Sequence, residues 1–131
     1  MSKKVLIIED DIPIQELYCR VFTKHNWRVI CAVTGAEAFK KAKNIKFNMI
    51  LLDIMLPDKN GVDVLKDIRA KKSPWVKTPV FMLTNLGQPS IIKESLKRGA
   101  QGYLLKARLL PKQIVEKVED FLQIQANSPQ K

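Results

Sequence analysis

The sequence predicts an α/β domain built on a parallel sheet, and three observations carry that expectation. Strand-like and helix-like segments alternate five times along the chain. Two of the strand-like runs, Val5-Leu6-Ile7-Ile8 and Met49-Ile50-Leu51-Leu52, are apolar throughout, as strands buried on both faces are. Acids stand just past both, Glu9-Asp10-Asp11 after the first and Asp53 after the second. That is the carboxyl edge, where open α/β sheets place their ligands.

Each element has its own local signal. Lys4–Ile8 reads as the first strand, and residues 12–25 follow as a helix with Ile14, Leu17, Tyr18, Val21 and Phe22 at helical spacing. Asp11 is placed to cap that helix, and Pro13 falls in its first turn, where proline is tolerated. Residues 27–33 are strand-like; Thr34-Gly35-Ala36-Glu37 then has the spacing of a capping box and opens a helix to about residue 44. The third strand spans 48–53, followed by the turn Pro57-Asp58-Lys59-Asn60-Gly61 and a helix marked by Val64, Leu65 and Ile68, ending before Ser73-Pro74. Residues 79–84 form a fourth strand, 89–98 a helix with Ile92 and Leu96, and 101–105 a fifth strand. Ile114, Val118, Phe121 and Leu122 define the last helix. The expected organisation is one domain over 1–125, with 126–131 a polar, frayed tail or the start of a linker. Five such units imply right-handed crossovers and helices on both faces of the sheet.

Composition narrows the function classes. With 131 residues, 46% hydrophobic and 27% charged, the chain can bury a core without disulfide or metal staples. No run approaches the roughly 18 apolar residues of a membrane span, and Met-Ser-Lys-Lys is no signal-peptide start. A cytoplasmic protein with no membrane partner is expected. Cys19 and Cys31 have no C-x-x-C spacing, so two free, buried or half-buried thiols are expected rather than metal or redox use. His25, the only histidine, sits at a helix end and is given no role. The formal charge of +10 could attract nucleic acid or an acidic protein. No arginine-rich block or aromatic interleaving accompanies it, so a solvated lysine-rich surface is the plainer reading.

The three carboxylates Glu9, Asp10 and Asp53 would repel one another at one sheet edge unless a cation sat among them. Ligands that are all oxygen favour a hard ion, Mg²⁺ before Zn²⁺. Asp53, at the centre of that edge, is the natural nucleophile for an acyl phosphate. Phosphoryl transfer needs charge neutralisation and in-line positioning more than acid–base work. Thr84 and Lys106 end the fourth and fifth strands and are placed to meet phosphate oxygens.

These residues, with Asp53-Ile54-Met55-Leu56-Pro57-Asp58-Lys59-Asn60-Gly61 and Gly102-Tyr103-Leu104-Leu105-Lys106, make the chain resemble the receiver domain of bacterial two-component response regulators from residue 3 to about 124. The resemblance implies a flavodoxin-like (βα)5 fold with strand order 2-1-3-4-5. It implies that Asp53 accepts a phosphoryl group from a sensor histidine kinase or phosphotransfer protein, the chain assisting only its own phosphorylation and dephosphorylation rather than acting as an enzyme. Asp10 and Asp53 would then bind Mg²⁺ directly, Glu9 through a water, and the Met55 backbone carbonyl would complete the protein ligands. Thr84 and Tyr103 would form the switch, reshaping the face made by the fourth helix, fifth strand and fifth helix.

Two positions depart from the family pattern. Ala107 stands where proline usually follows the lysine; a non-prolyl cis bond costs ~3 kcal/mol, so a trans Lys106-Ala107 bond and an altered turn are expected. Asn85 stands where a small residue usually follows the threonine, and it could narrow access to Asp53 or restrain Thr84. Met55 and Leu86, two residues after Asp53 and Thr84, are apolar and offer no group to orient an attacking water, so slow loss of phosphate is expected. The rival readings are a pseudo-receiver that binds partners without phosphorylation, and a basic protein that binds nucleic acid directly; a small-molecule hydrolase is more distant.

Overall fold

The computed structural model describes residues 2–57, 59–85 and 89–127. Five strands, β1 Lys4–Ile8, β2 Arg28–Ala32, β3 Met49–Asp53, β4 Val80–Thr84 and β5 Gly102–Leu105, form one sheet in the order β2-β1-β3-β4-β5. All four pairings are parallel, which requires the crossover helices α1 Ile12–Lys24, α2 Gly35–Ala42, α3 Gly61–Arg69 and α4 Pro89–Lys97; α5 Pro111–Asn127 closes the domain. This is the flavodoxin-like arrangement expected from the sequence.

Strand periodicity divides the core into two halves. Leu6, Ile8, Ile50, Leu52, Val80 and Met82 point to the side covered by α2 and α3, where Ala38, Ala42, Val64, Leu65 and Ile68 meet them. Val5, Ile7, Met49, Leu51, Leu83 and Leu104 point the other way, against Tyr18 and Phe22 of α1 and Ile114, Val115 and Val118 of α5. Both faces of β3 and β4 are therefore buried, which is why their sequences carry no alternation.

The caps behave as their chemistry demands. Asp11 Oδ1 accepts the Ile14 N–H at 3.2 Å, and Thr34 Oγ1 accepts the Glu37 N–H at 3.0 Å. Glu37 reaches back to the Val33 N–H, one residue before the cap. The Lys106-Ala107 bond is trans, and a single 3-10 turn, Lys106–Arg108, follows β5.

Several sequence expectations need correction. Cys19 of α1 and Cys31 of β2 are joined in a disulfide rather than left as free thiols. Their spacing could not reveal this, because the sheet crossover, not the sequence separation, brings them together. Leu17 and Leu96 lie outward, both 45% exposed; on α4 Ser95 takes the buried position, with its Oγ donating to the Ile91 carbonyl. Helix α5 continues through Ala126 and Asn127, two residues into the segment expected as a tail. Asp58, Leu86 and residues 128–131 lie outside the described residues. Among the described residues no helix is long and apolar enough to cross a membrane.

Candidate functional site

The register of the sheet assembles the carboxyl edge. Ile8 of β1 pairs with Leu52 of β3, so Glu9 and Asp53, one residue further on, lie side by side. Both continue the strand faces that look toward α1 and α5. Thr84 pairs with Leu105, which brings Lys106 level with the same edge. The three charged side chains converge: Lys106 Nζ donates to Asp53 Oδ2 at 3.0 Å and pairs with Glu9 Oε1. Glu9 is fully buried and Asp53 only 4% exposed, while Asp10 is the most open of the three acids.

The remaining oxygens are oriented by backbone donors. Glu9 Oε2 accepts the Asp11 N–H at 3.2 Å, and Asp53 Oδ1 accepts the Met55 N–H at 3.0 Å. The Met55 side chain is 72% exposed, so only its backbone faces the acids. Carboxylate oxygens of Glu9, Asp10 and Asp53 lie within 4.8 Å of one another.

Electrostatics follow from this crowding. Burial pushes the Glu9 carboxyl up to about 7; the hydrogen bond with Asp53 adds to the rise, and the Lys106 ammonium opposes it. Burial alone would lower Lys106, but its hydrogen bond to Glu9 and the charges of Asp53 and Glu9 outweigh burial and raise it. Three acids around one ammonium leave negative charge uncompensated, and Glu9 relieves it by holding its proton toward neutrality. A hard dication meets the same need, and an all-oxygen donor set of this compactness fits Mg²⁺.

Two supporting residues differ in how far the sequence signalled them. Gln15, one turn into α1, donates its Nε2–H to the Glu9 carbonyl at 2.9 Å and to the Ala32 carbonyl at 3.1 Å, tying the ends of β1 and β2 together. Gly61 packs against β3: an added Cβ would stand 2.4 Å from the Asp53 carbonyl oxygen and 2.7 Å from Ile54 Cα. That close approach, sealed by Gly61 N–H donating to the Ile54 carbonyl at 2.8 Å, requires glycine. Glutamine is ordinary on a helix, but a glycine closing the turn after an acid-tipped strand was a readable sign.

Of the residues expected at the site, Glu9, Asp10, Asp53 and Lys106 come together, and Met55 meets Asp53 through its N–H, whereas its carbonyl was the group expected there. Thr84 ends β4 beside them and is buried. Tyr103 is 44% exposed on β5, and Asn85 is exposed just past β4.

A topological switch-point edge carrying two buried acids, Glu9 and the central Asp53, a more open Asp10 and an inward lysine is that of a response-regulator receiver, and the chain belongs to that family: the response regulator receiver domain model matches residues 5–119. Among curated relatives, it is 32% identical over 106 residues to the transcriptional regulatory protein CrdR of Helicobacter pylori, covering 81% of this chain and 49% of that one. It is 30% identical to ResD of Bacillus subtilis over 98% of this chain and 54% of ResD. The chain thus spans about half the length of the curated relatives it matches. Among solved structures, the chemotaxis protein CheY4 of Vibrio cholerae superposes with a TM-score of 0.84 at 28% identity, covering 92% of this chain and 98% of that one.

Proposed function

We propose that this receiver is a working phosphoacceptor, with Asp53 taking a phosphoryl group from a phosphohistidine of a sensor histidine kinase or phosphotransfer protein. The observation that carries the reading is Asp53 itself. It is buried at the centre of the edge, its Oδ1 oriented by the Met55 N–H and its Oδ2 by Lys106. In the transfer, an Asp53 oxygen forms the new P–O bond as the P–N bond of the phosphohistidine breaks, and the departing imidazole regains a proton.

Asp10 and Asp53 would hold Mg²⁺ directly, Glu9 through water, with the Met55 carbonyl as the remaining protein ligand; the ion would neutralise charge on the transferred group. Lys106 turns from its carboxylate partners to a phosphoryl oxygen, and the Thr84 hydroxyl donates to another. Tyr103, on the strand that Thr84 adjoins, relays the change to the surface of α4, β5 and α5. The domain catalyses nothing but its own phosphorylation and its reversal.

The test is incubation with acetyl phosphate and Mg²⁺, read by intact mass. One phosphoryl unit is expected on the protein and none on Asp53→Asn. An unchanged mass for the unsubstituted chain would leave a phosphorylation-independent binding module as the function.

A further inference from the structure

We infer that Cys19 and Cys31 form a reversible dithiol–disulfide site that tunes the acid cluster through helix α1, an inference that rests on the proposed Mg²⁺-dependent role of that cluster. The bond joins α1 to edge strand β2. Both residues are half-buried, so a small dithiol can reach the sulfurs. Tyr18 and Phe22 already pack α1 into the core half that it shares with α5, so the fold does not depend on this staple.

What the staple does constrain is the seam that supports Glu9. Cys19 follows Gln15 by four residues, one helical turn, and so lies on the same face of α1. Cys31 immediately precedes Ala32, whose carbonyl accepts both the Gln15 side chain at 3.1 Å and the Glu9 N–H at 3.0 Å. Gln15 also holds the Glu9 carbonyl. The disulfide and the Gln15 clasp are therefore neighbouring fastenings between α1 and β2, and the second bears directly on a residue of the acid cluster. Opening the first lets α1 shift against β2 and loosens the second.

The chemistry closes with an external dithiol as reductant. Its thiolate attacks one cysteine sulfur, the Cys19–Cys31 bond breaks and a mixed disulfide forms. The reductant's second thiolate then displaces the protein sulfur, leaving a cyclic disulfide in the reagent. Two protons end on the Cys19 and Cys31 thiols, and two electrons pass from reagent to protein.

The experiment compares the full chain after oxidised or reduced dithiothreitol, with thiols counted by alkylation and mass. Mg²⁺ affinity is measured by calorimetry, and protection of the amides of residues 12–24 by hydrogen exchange. The oxidised chain is expected to show no alkylated cysteine, and the reduced chain two, with Mg²⁺ affinity weakened on the order of fivefold. Protection in α1 should fall on reduction. The Cys19→Ser, Cys31→Ser double variant should match the reduced chain under both conditions, and Gln15→Ala should lose the redox difference in Mg²⁺ affinity. Two free thiols under oxidising conditions, or equal affinity and equal protection in both states, would overturn the inference. Should Mg²⁺ bind in neither state, the phosphoacceptor reading fails, and the exchange measurement alone then decides whether the disulfide controls α1.

Discussion

Lys106 and Arg69 are inward-turned cations with opposite surroundings. Arg69, the last residue of α3, meets only neutral oxygens. Its Nε and Nη2 donate to the Gly99 carbonyl at 3.1 and 2.9 Å, and Nη1 to the Trp75 and Val76 carbonyls at 3.1 and 3.2 Å. Nη2 also reaches Gln101 Oε1 at 3.1 Å, and burial lowers the Arg69 pKa. These contacts lock the segments leading into β4 and β5. Lys106 instead meets carboxylates that outnumber it. A planar guanidinium saturated by fixed carbonyls is a fastening, whereas an ammonium among excess acids has partners that a metal ion or a phosphoryl group can take over.

That contrast is most easily broken at the two cations themselves. Lys106→Met should slow phosphorylation by acetyl phosphate at least ~100-fold, the scale of removing one charge-stabilising donor, while the variant stays folded. Arg69→Met should leave phosphorylation nearly intact but lower unfolding stability by about 3 kcal/mol in urea titration, because several half-buried carbonyls lose their donor. If the two variants exchanged phenotypes, the distinction between fastening and working cation would fail. Gly61→Ala should combine both effects more mildly, destabilising by about 2 kcal/mol and slowing labelling, since its Cβ must displace the β3 backbone at Asp53.

Proton linkage provides a subtler probe. Glu9 titrates near 7 in the folded chain, above its ordinary value of 4.5. The folded state therefore binds this proton more tightly than the unfolded state does. The resulting stabilisation is complete below about 4.5 and is lost as pH rises to about 7. Without Mg²⁺, Tm should fall between pH 5 and pH 8 by on the order of 5 °C. Saturating Mg²⁺ should flatten the slope, and Glu9→Gln should remove it. An unchanged slope in Glu9→Gln would assign the linkage to another group. Last, the phosphorylated chain should persist well beyond seconds without a phosphatase, because the exposed Met55 side chain offers no group to orient water; time-resolved intact mass reads the decay.

The strands were legible because burial on both faces leaves an unbroken apolar run, and helix starts were legible because Asp11, Thr34 and Glu37 act within four residues. Helix faces were less so: with Ile91, Ile92 and Leu96 close together on α4, periodicity alone did not show that Ser95 takes the buried position and Leu96 the outward one. The acid cluster could be read because one topological rule places the strand ends together, whatever the detailed packing. Gln15, Arg69 and the cysteine pair could not, since each acts on residues distant in sequence and belongs to a residue type with many ordinary uses.

From the sequence alone came the class, the parallel sheet and the placement of Glu9, Asp10, Asp53, Thr84 and Lys106 at one sheet edge, because short-range hydrophobic patterning and strand-end chemistry are local. Tertiary structure alone decided that Lys106 pairs with both Glu9 and Asp53, that burial raises Glu9, and that Cys19 meets Cys31. Those outcomes depend on which strands become neighbours and which charges lose water, and both are set only when the sheet closes.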